Sequence, residues 1–144
     1  MLSQAEADAL NEMAKTIDHV GRLDFPQPGE KASWQATSVD RRERFLFDVN
    51  RGRLRLIKCT YQERYRLTEI LVRVDIGGPP HKNPDGAVVP CPHIHVYRER
   101  YADKWAESLP AGQFSDPAEL VQTFRDFLQF CNVQDIPEIQ ASLQ

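Results

Sequence analysis

Strict alternation of side-chain character over residues 69–76 constrains the fold more than any other feature of this sequence. The apolar residues of one phase are Ile70, Val72, Val74 and Ile76, and the other phase holds Glu69, Leu71, Arg73 and Asp75. A period of two places successive side chains on opposite faces of a β-strand. Residues 92–98 alternate in the same way, with Ile94 and Val96 expected to face inward. Both segments therefore predict strands of one sheet.

The flanking segments extend this pattern to an antiparallel sheet of four or more strands. Residues 45–50 are rich in strand formers and end at a turn near Arg51 and Gly52, and a long return strand is expected from Arg53 to Tyr65. Between residues 23 and 38, prolines and a glycine predict a loop with at most a short edge strand.

Two amphipathic helices are predicted at the two ends. Ser3 and Glu6 form a capping-box pattern before apolar residues at helical spacing, which predicts a helix that continues to Val20. Near the other end, Asp116 and Pro117 predict a helix start, and the apolar positions that follow at helical spacing are Leu120, Phe124, Phe127, Leu128 and Cys131. The fold class is therefore α+β, with the C-terminal helix packed on the sheet and residues 1–144 forming a single domain.

Composition narrows the setting and the partners. No apolar run approaches the roughly 18 residues of a membrane span, and the N-terminus is acidic, so we expect a cytoplasmic protein with no membrane partner. The three cysteines are widely spaced without a Cys-x-x-Cys pair, which favours reduced thiols. Residues 40–105 carry fourteen Lys and Arg against nine Asp and Glu, although the whole chain has a net charge of −3. This basic central segment favours RNA or another anionic molecule as a binding partner. The alternative is that its arginines only solvate the outer face of the sheet.

The candidate functional residues lie in the second and fourth predicted strands, residues 53–65 and 92–98. His93, His95 and Tyr97 would share one strand face, about 6.5–7 Å apart from one to the next. In the second strand, Lys58, Thr60, Gln62 and Arg64 form a polar, cationic phase. A change of phase between residues 56 and 57 predicts a β-bulge. Each histidine could also be an ordinary strand residue with a satisfied hydrogen bond, and the second strand could be a partly exposed strand that projects from the core.

If both faces coincide, the residues suit metal-independent RNA cleavage, as an endoribonuclease of the toxin type. His93 and His95 would exchange protons with the ribose 2′-hydroxyl and the departing 5′-oxygen, while Lys58 and Arg64 stabilise the phosphate. Substrate binding would fall to the remaining polar and aromatic groups, namely Thr60, Tyr61, Gln62, His81, Tyr97, Arg98, Lys104 and Trp105. This mechanism needs no cofactor.

Two other readings stay open. Cys91-x-His93-x-His95 places three zinc-compatible residues within one segment, with a further ligand needed from His81, Asp85 or Cys59, which would make a metal-binding phosphoesterase. Alternatively, the basic sheet belongs to a non-catalytic module, such as an antitoxin, an adaptor or a phage-derived inhibitor, that binds nucleic acid or protein. Binding through phosphates would weaken steeply with salt and survive loss of the histidines.

Four short motifs carry a resemblance to known proteins. Lys58–Gln62, His81–Gly86, Pro92–Glu99 and Lys104–Ala106 together resemble a family of small uncharacterised bacterial proteins, which implies a bacterial origin and no mechanism. The helix–meander–helix layout is similar to that of RelE-like and colicin-like ribonuclease toxins, which implies a cognate antitoxin as partner. The run from His93 to Tyr97 also looks like the start of a histidine-triad nucleotide hydrolase motif, but tyrosine stands in the third histidine position.

Overall fold

The fold is built on a seven-stranded antiparallel sheet in the order β1-β3-β4-β5-β6-β9-β10, seen in a computed structural model that describes residues 1–55 and 57–141. Its strands are β1 (Lys15–Ile17), β3 (Lys31–Ser38), β4 (Arg44–Arg51), β5 (Cys59–Tyr65), β6 (Glu69–Ile76), β9 (His93–Val96) and β10 (Ala106–Ser108). Adjacent strands of this sheet are all antiparallel. The α+β class with at least four antiparallel strands is thus confirmed.

Two helices and two small sheets complete the part of the chain that the structure describes. The helices are α1 (Gln4–Glu12) and α2 (Leu120–Phe130). One small sheet pairs β2 (Arg22–Asp24) in parallel with β11 (Glu138–Gln140), and the other is the hairpin of β7 (His81–Lys82) and β8 (Val88–Val89). Neither helix within residues 1–55 and 57–141 is long and apolar enough to cross a lipid bilayer.

One face of the large sheet forms the core beneath α2. Phe124 and Phe127 of the helix are fully buried, and both rings lie 6.0 Å from the ring of Tyr61 in β5. The Phe127 ring also meets Phe47 of β4 edge-on at 6.2 Å. Each such buried aromatic side chain removes a large apolar area from water. This helix-covered face leaves the opposite face of β5, β6 and β9 for polar side chains.

The structure corrects the predicted first helix. The capping box is present, since the Ser3 hydroxyl accepts from the Glu6 amide and the Glu6 carboxylate accepts from the Ser3 amide. The helix ends at Glu12, however, and residues 15–17 form β1 instead of a further helical turn. Pairing of residues 15–17 with β3 accompanies this change, and it holds the buried Lys15 ammonium 2.8 Å from the Glu63 carboxylate.

Three further boundaries differ from the sequence prediction. Residues 31–38, expected as loop, form the eight-residue strand β3, because pairing with both β1 and β4 satisfies their backbone groups. The return strand starts at Cys59 rather than Arg53. The helix expected from Asp116 begins at Leu120 with Glu119 as its N-cap. A bulge lies between Glu63 and Arg64, while the one predicted at residues 56 and 57 involves Leu56, which is outside the described residues.

Candidate functional site

The candidate site lies on the polar face of three adjacent strands, β5, β6 and β9. The register places Asp75 of β6 opposite both Thr60 of β5 and His93 of β9, and it places Arg73 opposite His95. Residues paired across antiparallel strands project from the same face of a sheet. The two histidines, the carboxylate, the guanidinium and the hydroxyl are therefore neighbours, although they come from three separate segments of the chain.

Asp75 is the centre of this group. Its Oδ2 lies 3.1 Å from Nε2 of His93, 3.2 Å from Nε2 of His95 and 3.3 Å from Nε of Arg73, and its Oδ1 accepts a hydrogen bond of 2.9 Å from the Thr60 hydroxyl. Burial alone would raise the pKa of the Asp75 carboxyl, but the hydrogen bond with His95, the charge of Arg73 and the Thr60 hydroxyl outweigh it. The pKa is held well below its usual range, so the group is a carboxylate at neutral pH.

The outer nitrogens of both imidazoles contact backbone carbonyls. Nδ1 of His95 lies 2.8 Å from the carbonyl oxygen of Asp103, and Nδ1 of His93 lies 3.3 Å from that of Pro90. A carbonyl oxygen only accepts hydrogen bonds, so the contact with Asp103 assigns a proton to Nδ1 of His95. Nε2 of His95 lies 3.2 Å from Oδ2 of Asp75 and 3.1 Å from Nη2 of Arg73, so as an N–H it donates to Asp75 and as a lone pair it accepts from Arg73.

Arg73 links the polar residues of this face by electrostatic contacts. We call these residues the cluster; its members are Thr60, Arg73, Asp75, His93, His95 and Asp103. Besides its contacts with Asp75 and His95, its Nη1 forms a 2.6 Å ion pair with Oδ2 of Asp103. The Arg73 and Asp103 side chains are 24% and 27% exposed, whereas those of His93 and His95 are 3% and 0% exposed. Solvent therefore reaches the cluster from the side of the guanidinium.

The β7–β8 hairpin covers the histidines on the other side. The His81 ring lies 4.7 Å from the ring of His95 and 6.0 Å from that of His93, and its Nε2 is 2.7 Å from the carbonyl oxygen of Lys104. Asn83 fastens the hairpin to the edge strand, because its amide donates to the carbonyl of Ala106 at 3.0 Å and accepts from the Ala106 amide at 2.8 Å. As expected from the sequence, His81 reaches the cluster from a turn-rich loop.

A polar groove of about 340 Å³ adjoins the cluster on the same face of the sheet. Its lining residues are Lys31, Ser33, Asp48, Val49, Asn50, Thr60, Gln62 and Arg64. Arg64 grips both oxygens of Asp48 at 2.6 and 3.0 Å, and Gln62 donates to Asp48 at 2.8 Å. Burial alone would raise the pKa of Asp48, but hydrogen bonds from Arg64, Ser33 and Gln62 lower it below its usual value. Thr60, Gln62 and Arg64 thus lie where the sequence predicts a polar surface.

Tyr61 and Tyr97 do not reach this face. Tyr61 belongs to the buried phase of β5, and its hydroxyl donates to the carbonyl of Leu120 in α2 at 2.7 Å. Tyr97 follows the end of β9, and its buried hydroxyl donates to the carbonyl of Leu2 at 2.8 Å. The alternation of β9 therefore stops before Tyr97, whose ring joins the core, while Val96 is partly exposed. Stacking of a base on either tyrosine, as predicted, would require the core to open.

The remaining predicted binding residues lie around the periphery. Lys58 is exposed just before β5, where its charge partly offsets the rise in the pKa of the Cys91 thiol that burial causes. The guanidinium of Arg98 lies 4.4 Å from the Trp105 ring, and both residues line a separate depression beside α1. Lys104 contributes its backbone carbonyl to His81, while the residue itself is exposed. The structure therefore brings together His81, His93, His95 and Thr60 and leaves Arg98 and Trp105 apart.

Three members of the cluster were absent from the sequence-based site: Arg73, Asp75 and Asp103. The alternation of residues 69–76 was a usable signal for the first two, since it places them in the polar phase of β6. Asp103 follows β9 in a turn, and no sequence pattern links it to Arg73.

The metal-compatible set also differs from the predicted one. Ligand atoms of Asp75, His93 and His95 lie within 4.8 Å of one another. Cys91 Sγ is instead 3.6 Å from Nδ1 of His93, whereas the Asp75 carboxylate faces Nε2 of that ring. The carboxylate that the sequence prediction lacked is thus supplied by the neighbouring strand.

Comparison with known proteins gives the family and no activity. No curated protein and no solved structure matches the chain. A described protein family does match residues 2–133, which include every strand of the large sheet and both helices. The chain therefore belongs to a family of unknown function, DUF6978.

Proposed function

We propose that the polar face of the sheet binds RNA and cleaves its phosphodiester bonds, with Asp75, His93 and His95 as the reaction centre. One observation carries the proposal. Thr60 lines the polar groove and also donates a hydrogen bond to Asp75, so the groove lies directly beside the carboxylate of the centre. A strand of RNA lying in the groove would place a phosphate beside the centre.

The groove offers groups that suit a polynucleotide. Hydroxyl, amide and guanidinium groups of Ser33, Asn50, Gln62 and Arg64 line it, and Lys31 adds an exposed positive charge. Ser33, Gln62 and Arg64 are hydrogen-bonded to the Asp48 carboxylate, so RNA would have to compete with Asp48 for them. Such groups contact phosphate and sugar oxygens in most nucleic-acid complexes. The exposed ammonium of Lys58 at the end of β5 would add to this contact. The proposed substrate is therefore single-stranded RNA that runs across β4 and β5.

Access to the imidazoles requires movement of the β7–β8 hairpin. Both imidazoles are nearly inaccessible to solvent. The ring nitrogens of His95 already contact Asp103, Asp75 and Arg73. Direct proton exchange between the histidines and a substrate, as predicted from the sequence, therefore requires an open form. Lifting of the hairpin would expose the centre from the side of His81.

The test is cleavage of labelled RNA by protein purified without an affinity tag. We expect cleavage by the wild type and a loss of about 10²- to 10⁴-fold in His93→Ala and in His95→Ala. The exposed His19 provides a matched control, because His19→Asn removes a histidine outside the cluster and should retain full activity. Circular dichroism of each variant would verify the fold. Equal cleavage by the wild type and both alanine variants would refute the proposal.

A non-catalytic RNA-binding module is the second candidate, because the closed hairpin buries both imidazoles. In that case the wild type would bind RNA without cleaving it, and His93→Ala and His95→Ala would bind equally well. We would measure RNA binding at salt concentrations from about 50 to 200 mM, and we expect the affinity to fall steeply over this range. The cognate antitoxin that a toxin would require stays a prediction, which copurification from the native host would test.

A further inference from the structure

We infer that Asp75, His93 and His95 bind one divalent transition metal ion of the zinc class. The two Nε2 atoms and Oδ2 of Asp75 point at one another, with Oδ2 at 3.1 and 3.2 Å from the two nitrogens. Ligand bonds of about 2.0–2.2 Å in a tetrahedral site place ligand atoms roughly 3.3–3.5 Å apart. The candidate ligand atoms of the three residues lie within 4.8 Å of one another, so loading the site needs them to converge by up to about 1.5 Å.

The partners of the outer nitrogens fit this role. Histidines that bind metals typically donate the N–H of the other ring nitrogen to a backbone carbonyl or carboxylate, which fixes the ring and directs the free nitrogen at the ion. Nδ1 of His95 makes this contact with Asp103, and Nδ1 of His93 lies within 3.3 Å of the Pro90 carbonyl. Two imidazoles from one strand and one carboxylate form a ligand set that zinc and related ions accept.

Arg73 supplies the positive charge near Asp75 before a metal binds. Its Nη2 lies 3.1 Å from Nε2 of His95 and its Nε lies 3.3 Å from Oδ2 of Asp75, so the guanidinium must move away from both ligand atoms when the ion binds them. The 2.6 Å ion pair with Asp103 can keep the guanidinium beside the centre. A cation and an arginine side by side would both attract a phosphate oxygen. This last step, a metal-assisted cleavage, rests on the proposed function, whereas metal binding does not.

Cys91 separates this site from the ligand set that sequence spacing suggests. Its sulfur lies 3.5 Å from the backbone carbonyl oxygen of Asp75 and 3.6 Å from Nδ1 of His93, whereas the Asp75 carboxylate faces the other ring nitrogen, Nε2. Cys91→Ser should therefore leave metal affinity unchanged. In a Cys91-His93-His95 site, the same substitution would remove a ligand.

The experiment is calorimetric titration of tag-free, EDTA-treated and dialysed protein with Zn²⁺ and, separately, with Co²⁺. We expect one equivalent to bind the wild type, Cys91→Ser and His19→Asn with equal affinity. Loss of a residue that hydrogen-bonds to a metal ligand lowers metal affinity by about 10- to 100-fold. Loss of a direct ligand in His95→Ala or Asp75→Asn should therefore lower the affinity by more than about 100-fold. Asp75→Asn is close to isosteric and keeps the test decisive if His95→Ala does not fold.

Two results would overturn the inference: no stoichiometric binding by the folded wild type, or wild-type affinity in folded Asp75→Asn. A separate assay, RNA cleavage with and without EDTA, tests the proposed function. Metal binding without cleavage would uphold the site and reject the ribonuclease. Cleavage by protein that binds no metal would do the reverse.

Discussion

The hairpin that covers the histidines should open far more often when Asn83 is replaced by alanine. Asn83 is 7% exposed and makes two hydrogen bonds with the backbone of Ala106, which is 3% exposed and lies on the edge strand β10. The substitution removes both bonds and leaves a buried amide and a buried carbonyl of Ala106 without partners. The contact between His81 and the carbonyl of Lys104 remains, so the hairpin should stay attached on one side.

The magnitude follows from the number of groups affected. Leaving a buried polar group unpaired costs about 1–3 kcal/mol, and two groups at an edge that water can reach fall at the lower end of this range. We therefore expect the free energy of hairpin opening to fall by about 2–3 kcal/mol, which corresponds to a roughly 30- to 150-fold larger opening constant. Asn83→Asp should act in the same direction, because it places an oxygen against the Ala106 carbonyl.

Native-state hydrogen exchange measures this opening directly. Backbone amides of residues 81–89 and of Ala106 should exchange roughly 30 to 150 times faster in Asn83→Ala, as opening governs their exchange. Val88→Thr is the control, because Val88 is an exposed residue of the same hairpin. If access to the histidines limits RNA cleavage, Asn83→Ala should also cleave faster. Unchanged exchange in Asn83→Ala would show that the two hydrogen bonds do not fasten the hairpin.

Three further predictions concern stability. Lys15→Met should lower the free energy of unfolding in urea by about 3–5 kcal/mol, because it leaves the fully buried Glu63 carboxylate without its ion-pair partner; the double variant with Glu63→Leu should recover most of the loss, and equal losses in both would contradict this reason. The folded pKa of Asp48 is lowered, so its contribution to stability is present above about pH 4 and is lost as the pH falls through that lowered pKa. Asp48→Asn, which also loses the Arg64 ion pair, should therefore show a smaller fall in urea midpoint between pH 7 and pH 3 than the wild type, and parallel curves would refute the assignment. Tyr61→Phe should lower stability by about 1–2 kcal/mol in thermal unfolding, because the buried hydrogen bond from the Tyr61 hydroxyl to the Leu120 carbonyl is lost; an unchanged midpoint would contradict a role for this hydrogen bond.

The parts of the fold that follow from local pattern could be predicted from sequence. Strict alternation located β6, and the Ser3 capping box located the start of α1. The end of α1 could not be predicted, because residues 15–17 are determined by pairing with β3 and by burial of an ammonium group against a distant carboxylate. Likewise, residues 31–38 form a strand because residues 31–37 pair with β4 and residues 36–38 also pair with β1.

The candidate site was likewise only partly predictable from the sequence. Alternation was enough to place His93 and His95 on one face, but the pairing of β6 with β9 was needed to place Asp75 between them. Alternation that continues through residue 97 predicts Tyr97 on that face, but the strand ends at Val96 and the Tyr97 ring is buried in the core. Burial of the histidines depends on where the β7–β8 hairpin folds back, and a sequence pattern of turn residues does not give that position.

The most direct test of the reaction centre compares RNA cleavage by the wild type and Asp75→Asn, with verified folds and matched zinc supply. Asp75 contacts both histidines, and the substitution changes a carboxylate to an amide of nearly the same shape. The proposed function predicts measurable cleavage by the wild type and at least about 100-fold slower cleavage by the variant. Equal rates, or no cleavage by the wild type under any metal condition, would contradict it.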